Sequence, residues 1–269
     1  MDISIAIRCS NDERIFECIR TIDEDVEIIA SMTENQDLQE RLEKNGITCA
    51  LCPKGNLSLT SNIGFEASSN DRVIITDSDT TFEPGCIAKL NRALNTHKVA
   101  RAGIKFLMDP GIAFSRLVSE ARDYVNSLPL VFTPGIAVRK DLLPEIGGSL
   151  FNDPVPWAVD ADLSYRIRAA GVPVAFLKDA HICHVPVALK HDLRAAFRIG
   201  VGCRVSAEHL SSGDRSLIRL LKRELKGVNV KDLPDVLEKK GLGVTLYQVL
   251  WDRLYYLGYH YQRFFRIYE

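Results

Sequence analysis

The chain has 269 residues, 46% of which are apolar, and a formal net charge of −1 at pH 7. Its length suits one large domain or one domain with an appendage, and its apolar fraction is typical of a globular protein with a packed core. The near balance of acidic and basic residues argues against a general nucleic-acid-binding protein.

The sequence predicts neither a signal peptide nor a membrane-spanning segment. The N-terminal residues become charged after a short strand-like segment, and no apolar run reaches the roughly 18 residues that identify a candidate spanning helix. The spacing of the seven cysteines forms no disulfide framework, which is typical of small buried residues in a reduced protein. We therefore expect a cytoplasmic protein.

Segments with strand and helix character alternate along the N-terminal part of the chain. Apolar runs with strand character lie at residues 3–7, 26–31, 47–52 and 73–76. Helical segments lie between them, at residues 13–22, 38–46 and 57–68. This alternation predicts a mixed, mostly parallel α/β sheet flanked by helices.

The pattern changes toward the C-terminus. Further helices are predicted at 86–94 and 157–171, further strands at 99–107 and 172–177, a partly helical segment at 109–133, and a turn followed by a short strand at 131–143. From about Lys190 onward the sequence is helical and basic. We therefore expect an α/β domain at residues 1–190 and a helical C-terminal extension at residues 191–269.

The stretch VIITDSDTTFEPG (73–85) places two carboxylates one residue apart, Asp77 and Asp79, directly after a predicted strand. Ligands of parallel α/β sheets collect at the carboxyl ends of the strands. Two like charges held this close repel, and a divalent cation such as Mg²⁺ or Mn²⁺ would relieve the repulsion. The alternative interpretation is a solvated loop that happens to carry two acids.

A second acidic stretch, WAVDADLSYRIRAAG (157–171), combines Asp160 and Asp162 with the start of a predicted helix that ends at Gly171. Negative charge in the first helical turn is favoured by the helix dipole. Both acids could therefore serve only to stabilise the helix, or one of them could take part in chemistry.

The order of these motifs carries a resemblance to a known family. AIRCSNDERIFECI is followed by KGNLSLTSNIG, then by DSDTT, TPGIAVRKDLL and PWAVDADLSYRIRAAG. This series resembles a family 2 glycosyltransferase with the GT-A fold over roughly residues 3–185, and the order of the motifs is more specific than any one of them.

The resemblance implies an enzyme that transfers a sugar from a UDP- or GDP-linked donor to an acceptor hydroxyl, with inversion. Asp79, Asp77 and His184 would contact Mn²⁺ or Mg²⁺, which stabilises the leaving diphosphate as a Lewis acid. Asp160 would be the general base that takes the proton of the acceptor. The acceptor itself would be a glycan, a lipid-linked molecule or another hydroxyl compound.

The resemblance also implies further contacts and contains two departures. The nucleotide-sugar contacts would be Arg8, Glu34, Lys54, Asn62, Asp77 and Ser78, and the acceptor side would include Gly135, Trp157 and Asp162. Where related enzymes have an aspartate that reads the nucleoside base, this chain has IIASMTENQD (28–37), with Thr33 and Glu34 as the nearest polar substitutes. The acid pair that usually precedes the catalytic helix has Val159 in its first position, which leaves Asp160 alone.

Two other functions fit parts of the sequence. DSDTT also matches the nucleophile motif of haloacid-dehalogenase-type phosphatases, in which Asp77 would be the nucleophile and Asp79 the acid/base. A GT-A-like protein that binds a nucleotide without catalysis is the third interpretation.

The C-terminal segment, residues 215–269, is both basic and aromatic. It holds 11 Lys and Arg against 6 Asp and Glu, a net charge of +5 (11 − 6), and six of the eight tyrosines. Such a segment is typical of a helix at an anionic membrane surface. Packing on the α/β domain and formation of a homodimer are the alternatives.

Overall fold

The computed structural model describes residues 1–53 and 56–268. Its contacts divide the chain into two units. Unit 1 comprises Met1–Lys105, Val131–Phe151 and Arg166–His184, and unit 2 comprises Phe106–Leu130, Asn152–Tyr165 and Val185–Glu269. Two segments that precede residue 190 are thereby grouped with the C-terminal helices, whereas the sequence predicted a single boundary after that residue.

Unit 1 is built on a mixed sheet. Its strands are β1 (Ser4–Cys9), β2 (Glu27–Met32), β3 (Thr48–Leu51), β4 (Arg72–Asp77), β5 (Thr80–Phe82), β6 (Val99–Phe106), β7 (Ile136–Arg139) and β8 (Val174–His184), in the order β3-β2-β1-β4-β7-β6-β8-β5. β1 pairs in parallel with β2 and β4, and β2 with β3. β7 is antiparallel to β4 and β6, and β5 is antiparallel to β8.

The central strands explain why the sheet forms here. All six residues of β1 are buried, and so are Val73 to Thr76 of β4. Near-continuous apolar runs of this kind are typical of strands that are covered on both faces. The covering helices of unit 1 are α1 (Ile15–Arg20), α2 (Gln36–Lys44), α3 (Leu57–Ala67) and α4 (Cys86–Ala93), and a 3₁₀ helix spans Lys140–Ile146.

The remaining helices are α5 (Ser115–Asn126), α6 (Val159–Ala169), α7 (Leu189–Ser211), α8 (Arg215–Glu224) and α9 (Leu233–Phe265), with a short 3₁₀ turn at Val230–Asp232. α9 contains a break at Gly241, whose φ is +82°. The predicted α/β class and the helical C-terminal extension are thus confirmed. The short strand β5 was not predicted, because three residues after an acidic turn are too few to establish a period of two.

Helices α7 and α9 of unit 2 approach each other through glycines. A Cβ on Gly200 would lie 2.0 Å from the carbonyl oxygen of Tyr255, and a Cβ on Gly258 would lie 2.0 Å from that of Phe197. Any side chain at these positions would therefore force the two backbones apart. Tyr255 is completely buried at this crossing.

A buried ion pair also joins the helices of unit 2. The Arg122 guanidinium on α5 donates to Asp192 on α7, with 2.7 Å between Nε and Oδ1, and the Tyr247 hydroxyl on α9 donates to the same carboxylate. Burial lowers the pKa of Arg122, but the charge of Asp192 more than compensates, so that the net shift is upward. The Arg122–Asp192 pair, with Tyr247, thus ties three helices together.

Within the part of the chain that the structure describes, no helix combines the length and apolar character needed to cross a membrane. One side of α9 nevertheless exposes apolar side chains, at Leu242, Leu246, Leu250 and Leu257. The opposite side packs inside unit 2 through Val244, Tyr255 and Tyr259, among others.

We expect Gly258→Ala to lower the free energy of unfolding by about 1–3 kcal/mol, because the added methyl group meets a backbone carbonyl that cannot rotate away. Chemical denaturation measures the change. Gly243→Ala is the matched control on the same helix, since its Cβ would meet only a methyl carbon of Leu117 at 3.8 Å. The control should be neutral or stabilising, because alanine favours a helix over glycine by about 1 kcal/mol. Equal destabilisation by both variants would contradict the role of Gly258.

Candidate functional site

The acidic turn of unit 1 begins with an ion pair across two parallel strands. The register of β1 and β4 places Arg8 opposite Asp77. Their side chains meet with 2.6 Å between Nε and Oδ1, and Arg8 also donates to the Thr133 hydroxyl at 3.0 Å. Because Arg8 is only 8% exposed, the charge of Asp77 is compensated from inside the protein.

Hydrogen bonds then hold the turn from Asp77 to Thr80. The Ser78 amide donates to the Arg8 carbonyl at 3.0 Å, and the Thr80 hydroxyl donates to the Asp77 carbonyl at 2.7 Å. Since β5 starts at Thr80 and pairs with β8, Thr80 lies opposite His184. This pairing brings Asp79 to His184, with 3.6 Å between Oδ2 and Nε2.

Asp79 lies in an environment that disfavours its charge. Burial raises the pKa of its carboxyl group and the nearby Asp77 adds to the shift, whereas His184 and Arg14 oppose it. The Arg14 guanidinium is 3.7 Å from Asp79 and binds Asp12 more closely, at 2.6 Å. The hydrogen bond from Arg14 is the main reason that the pKa of Asp12 is lowered.

Asp79 and His184 are the two predicted metal ligands that the structure brings together. Across residues 1–53 and 56–268, no three His, Cys, Asp or Glu side chains are grouped so that they could hold a metal ion. A carboxylate oxygen and an imidazole nitrogen are donors that Mn²⁺ accepts, and Mg²⁺ commonly binds through one or two carboxylates plus substrate phosphates. The pair therefore fits such an ion as a partial ligand set, while Asp77 is engaged by Arg8.

The other predicted nucleotide contacts in this region are spread over three segments. Glu34 is exposed in the turn after β2. Ser78 is buried, and its hydroxyl donates to Asp12 at 3.3 Å. Lys54 lies outside the described residues.

Two predicted site residues have structural contacts instead. The side-chain amide of Asn62 donates to the Phe151 carbonyl at 2.8 Å and accepts from the Phe151 amide at 3.0 Å. This reciprocal pair joins α3 to the end of unit 1's second segment, and it differs from the predicted nucleotide contact. Gly135 has a φ of +84°, a conformation that favours glycine, and a Cβ there would lie 2.5 Å from the end of the Ile182 side chain.

Asp160 and Trp157 lie together in unit 2. Asp160 is half-buried in the first turn of α6. The loop before it is fixed by α7, because a Cβ on Gly202 would lie only 1.9 Å from the Trp157 carbonyl oxygen. The Arg198 guanidinium stacks over the Trp157 ring at 4.9 Å. The predicted base thus follows a loop whose backbone is held by a helix.

Asp162 is a buried anchor of this loop. It is 1% exposed and accepts hydrogen bonds from the Asn152 amide at 2.8 Å and from the Ser206 hydroxyl at 2.6 Å. These contacts join α6 to α7 and to the segment before it. Asp162 was predicted to lie on the acceptor side, whereas the structure buries it. The helical period by itself does not indicate which side of α6 is covered by other parts of the protein.

Sequence reasoning missed two residues that shape these regions, Arg14 beside Asp79 and Gly202 beneath Trp157. The two glycines of GVG (200–202) inside a helical pattern were the available signal for Gly202, because glycine weakens a helix unless close packing requires it. For Arg14 no signal was available, since Asp79, which it approaches, follows β4 and is distant in sequence.

Comparisons with known proteins identify the fold. No family model matches the chain, and no curated protein matches it in sequence. Among solved structures it is similar to S. aureus TarS, with a TM-score of 0.53 and 16% identity over 96% of this chain and 54% of that one. TarS 1–349 in complex with UDP-GlcNAc gives a TM-score of 0.53 and 14% identity over 98% and 92% of the two chains. The chain thus has a GT-A-like fold and spans about half of the longer TarS chain.

We expect Asp79→Asn to raise the melting temperature near pH 7. Because burial raises the pKa of Asp79, its ionised form is unfavourable in the folded state. The destabilisation by ionised Asp79 is absent below the unfolded pKa of an aspartate, about 3.9, and complete above the raised pKa of the folded state. The difference in melting temperature between Asp79→Asn and the unmodified protein should therefore shrink as the pH falls toward about 4. Thermal melts of both proteins across this range measure it.

Asp77→Asn provides the contrast. It leaves the Arg8 guanidinium without its carboxylate and should destabilise the protein by roughly 2 kcal/mol, less than the about 3–5 kcal/mol of a fully buried pair because Asp77 is 25% exposed. If Asp79→Asn melts below the unmodified chain near pH 7, the assigned environment of Asp79 is wrong.

Proposed function

We propose that this protein is a glycosyltransferase that moves a sugar from a UDP- or GDP-linked donor to an acceptor hydroxyl, with inversion. The observation that carries the proposal is the turn at the end of β4, where Asp79 meets His184 within a GT-A-like fold. Crystal structures of TarS, which has this fold, contain UDP-GlcNAc and UDP. They support a UDP-linked donor here.

The donor diphosphate would lie at the carboxyl ends of β1 and β4. Anionic phosphates need positive partners, and the exposed Arg14 lies beside Asp79 at 3.7 Å. Arg8 has a different task in this proposal, because its guanidinium positions Asp77 and Thr133. Glu34, at the end of β2, would face the nucleoside.

Mn²⁺ or Mg²⁺ held by Asp79 and His184 would supply Lewis-acid stabilisation of the leaving nucleoside diphosphate. The burial of Asp79 would favour such binding, because a poorly solvated carboxylate is stabilised more by a cation than a carboxylate in water is. The pairing of β5 with β8 places His184 next to Asp79.

Asp160 is the proposed general base. Its place in the first turn of α6 favours the ionised form that a base requires. The acceptor oxygen forms a bond to the anomeric carbon while the bond to the nucleoside diphosphate breaks, and the hydroxyl proton passes to the Asp160 carboxylate. Attack from the side opposite the leaving group inverts the anomeric carbon, and base assistance contributes about 10²–10⁴-fold.

The two alternatives fit the site less well. A phosphatase that uses Asp77 as nucleophile needs a free carboxylate, whereas Arg8 binds Asp77 at 2.6 Å. A protein that binds a nucleotide without catalysis would have no use for an acid in the position of Asp160. The fold also favours a transferase over the phosphatase.

The acceptor, the membrane and the dimer remain predictions. A glycan, a lipid-linked molecule or another hydroxyl compound would serve as acceptor, and the exposed leucines of α9 next to basic residues suit contact with an anionic membrane surface. Sedimentation with anionic vesicles tests the membrane contact, and light scattering tests a homodimer.

A thermal-shift panel of UDP, GDP, CDP and dTDP, each with and without Mn²⁺, tests the donor site. We expect one nucleotide to raise the melting temperature in a metal-dependent manner, because a ligand at a hundredfold excess over its dissociation constant stabilises by about 2.7 kcal/mol. Asp79→Ala should abolish the metal dependence. A flat panel would reject the proposed donor site.

Asp160→Asn should abolish sugar transfer and leave nucleotide binding intact, because the amide cannot accept the proton and the donor-side residues are unchanged. Release of UDP or GDP with added acceptor mixtures measures transfer. Glu238→Gln is the control, since it removes an exposed carboxylate on α9 and should retain full activity. Turnover by Asp160→Asn at the normal rate would remove it from the role of base.

A further inference from the structure

Unit 2 contains a basic pocket that the proposed reaction does not use. It has a volume of about 960 Å³ and lies where the C-terminal part of α7, the start of α8 and the end of α9 meet. Five arginines contribute to its lining, Arg204, Arg215, Arg219, Arg263 and Arg266, together with one carboxylate, Glu208. We call this site the arginine pocket.

Among the residues that the structure describes, most of the arginines of the arginine pocket have no carboxylate partner. Arg204 is paired with Glu208, with 2.6 Å between Nε and Oε1. For the other four arginines, no carboxylate among residues 1–53 and 56–268 lies within ion-pair distance. Burial is the main cause that lowers the pKa of both Lys222 and His260, and nearby cations, with Arg263 and Arg204 of the pocket among the weaker ones, add to the shift.

The geometry of guanidinium groups indicates the ligand. Four of them at one pocket repel each other, and a multiply charged anion would remove this repulsion. Arginine forks match phosphate oxygens with paired hydrogen bonds. A ligand with a single carboxylate would neutralise only one of the four guanidinium groups, whereas a diphosphate or several phosphodiesters would neutralise most of these charges. The volume is near the upper end of small-molecule sites, about 300–1,000 Å³, and so leaves room for more than one such group.

The arginine pocket lies beside the loop that precedes Asp160. Pro154 and Tyr268 line the pocket, and the Trp157 indole donates to the Tyr268 hydroxyl at 3.4 Å. Asp160 follows Trp157 by three residues along the same segment of unit 2. A ligand in the pocket would thus contact the acceptor-side loop of the proposed reaction.

We propose that the arginine pocket binds phosphate groups carried by the acceptor, so that the acceptor of this transferase is a phosphate-bearing molecule. The assignment to the acceptor rests on the proposed function, whereas the recognition of phosphate rests on the pocket alone. The phosphate belongs either to a soluble acceptor or to a lipid headgroup, and these two sources share the same chemistry.

Isothermal titration with sodium pyrophosphate, in buffer stripped of divalent metals, tests the pocket. The double variant Arg219→Gln with Arg263→Gln should bind at least about tenfold more weakly than the unmodified protein, since each removes a charge-assisted contact. Arg194→Gln is the matched control, because Arg194 is an exposed arginine of α7 outside the pocket lining. The affinity of this variant for pyrophosphate should stay within about twofold of that of the unmodified protein. Thermal melts should show both variants folded, because the replaced side chains are exposed.

Equal affinity of the double variant and the unmodified protein, or no binding by either, would overturn the proposal. Vesicles of phosphatidylcholine with and without phosphatidic acid identify the source of the phosphate. Sedimentation that requires phosphatidic acid and both arginines indicates a lipid headgroup, and pyrophosphate binding without sedimentation indicates a soluble acceptor. Both results support the pocket.

A fluorescence measurement tests the link to the acceptor side. The chain has two tryptophans, so that Trp251→Phe leaves Trp157 as the single reporter. We expect pyrophosphate to change its emission through Tyr268, and binding without any change would overturn the assignment to the acceptor. If pyrophosphate binds while the nucleotide panel is flat, the pocket stands and the acceptor assignment falls with the proposed function. Nucleotide binding without pyrophosphate binding overturns the pocket alone.

Discussion

The ion pair between Arg8 and Asp77 determines how the acidic turn of unit 1 is presented. It joins the carboxyl-terminal parts of two parallel strands, where the register places Arg8 opposite Asp77. With Asp77 neutralised in this way, the turn can carry a second carboxylate without two free charges at one strand end. Asp79 then becomes the acid that lacks an equally close basic partner, and burial raises its pKa. The two acids of DSD thus have different tasks, although they look equivalent in the sequence.

Glycine packing has the corresponding effect in unit 2. Gly200 and Gly258 let α7 and α9 approach at backbone distance, and Gly202 lets α7 reach the Trp157 carbonyl. The buried Asp162 accepts hydrogen bonds from Asn152, which precedes α6, and from Ser206 on α7. The backbone before Asp160 is therefore supported by contacts that leave the carboxylate of Asp160 in a half-buried position. Such support matters for the proposed role of Asp160 as general base, because proton transfer requires hydrogen-bond distance to the acceptor.

Charge is distributed unevenly over a chain whose net charge is only −1. The turn of unit 1 gathers Asp12, Asp77 and Asp79 around two arginines. The arginine pocket of unit 2 gathers five arginines around one glutamate. We propose the first arrangement as the site of a metal ion and a nucleotide, and the second as a site for phosphate. A net charge near zero therefore conceals one acid-rich group and one arginine-rich group of side chains.

The sequence by itself determined the succession of strands and helices, the α/β class and the position of the DSD turn at a strand end. These features depend on local periodicity and on apolar runs, which a single segment carries within itself. Only the tertiary structure decided that Arg8 binds Asp77, that Asn62 and Asp162 are buried anchors, and that His184 rather than Asp77 stands next to Asp79 as a partner. It also brought together arginines from 204 to 266 that no spacing rule connects. The reason is physical: strand register and the crossing of helices decide which distant side chains meet, and neither is encoded in the period of one segment.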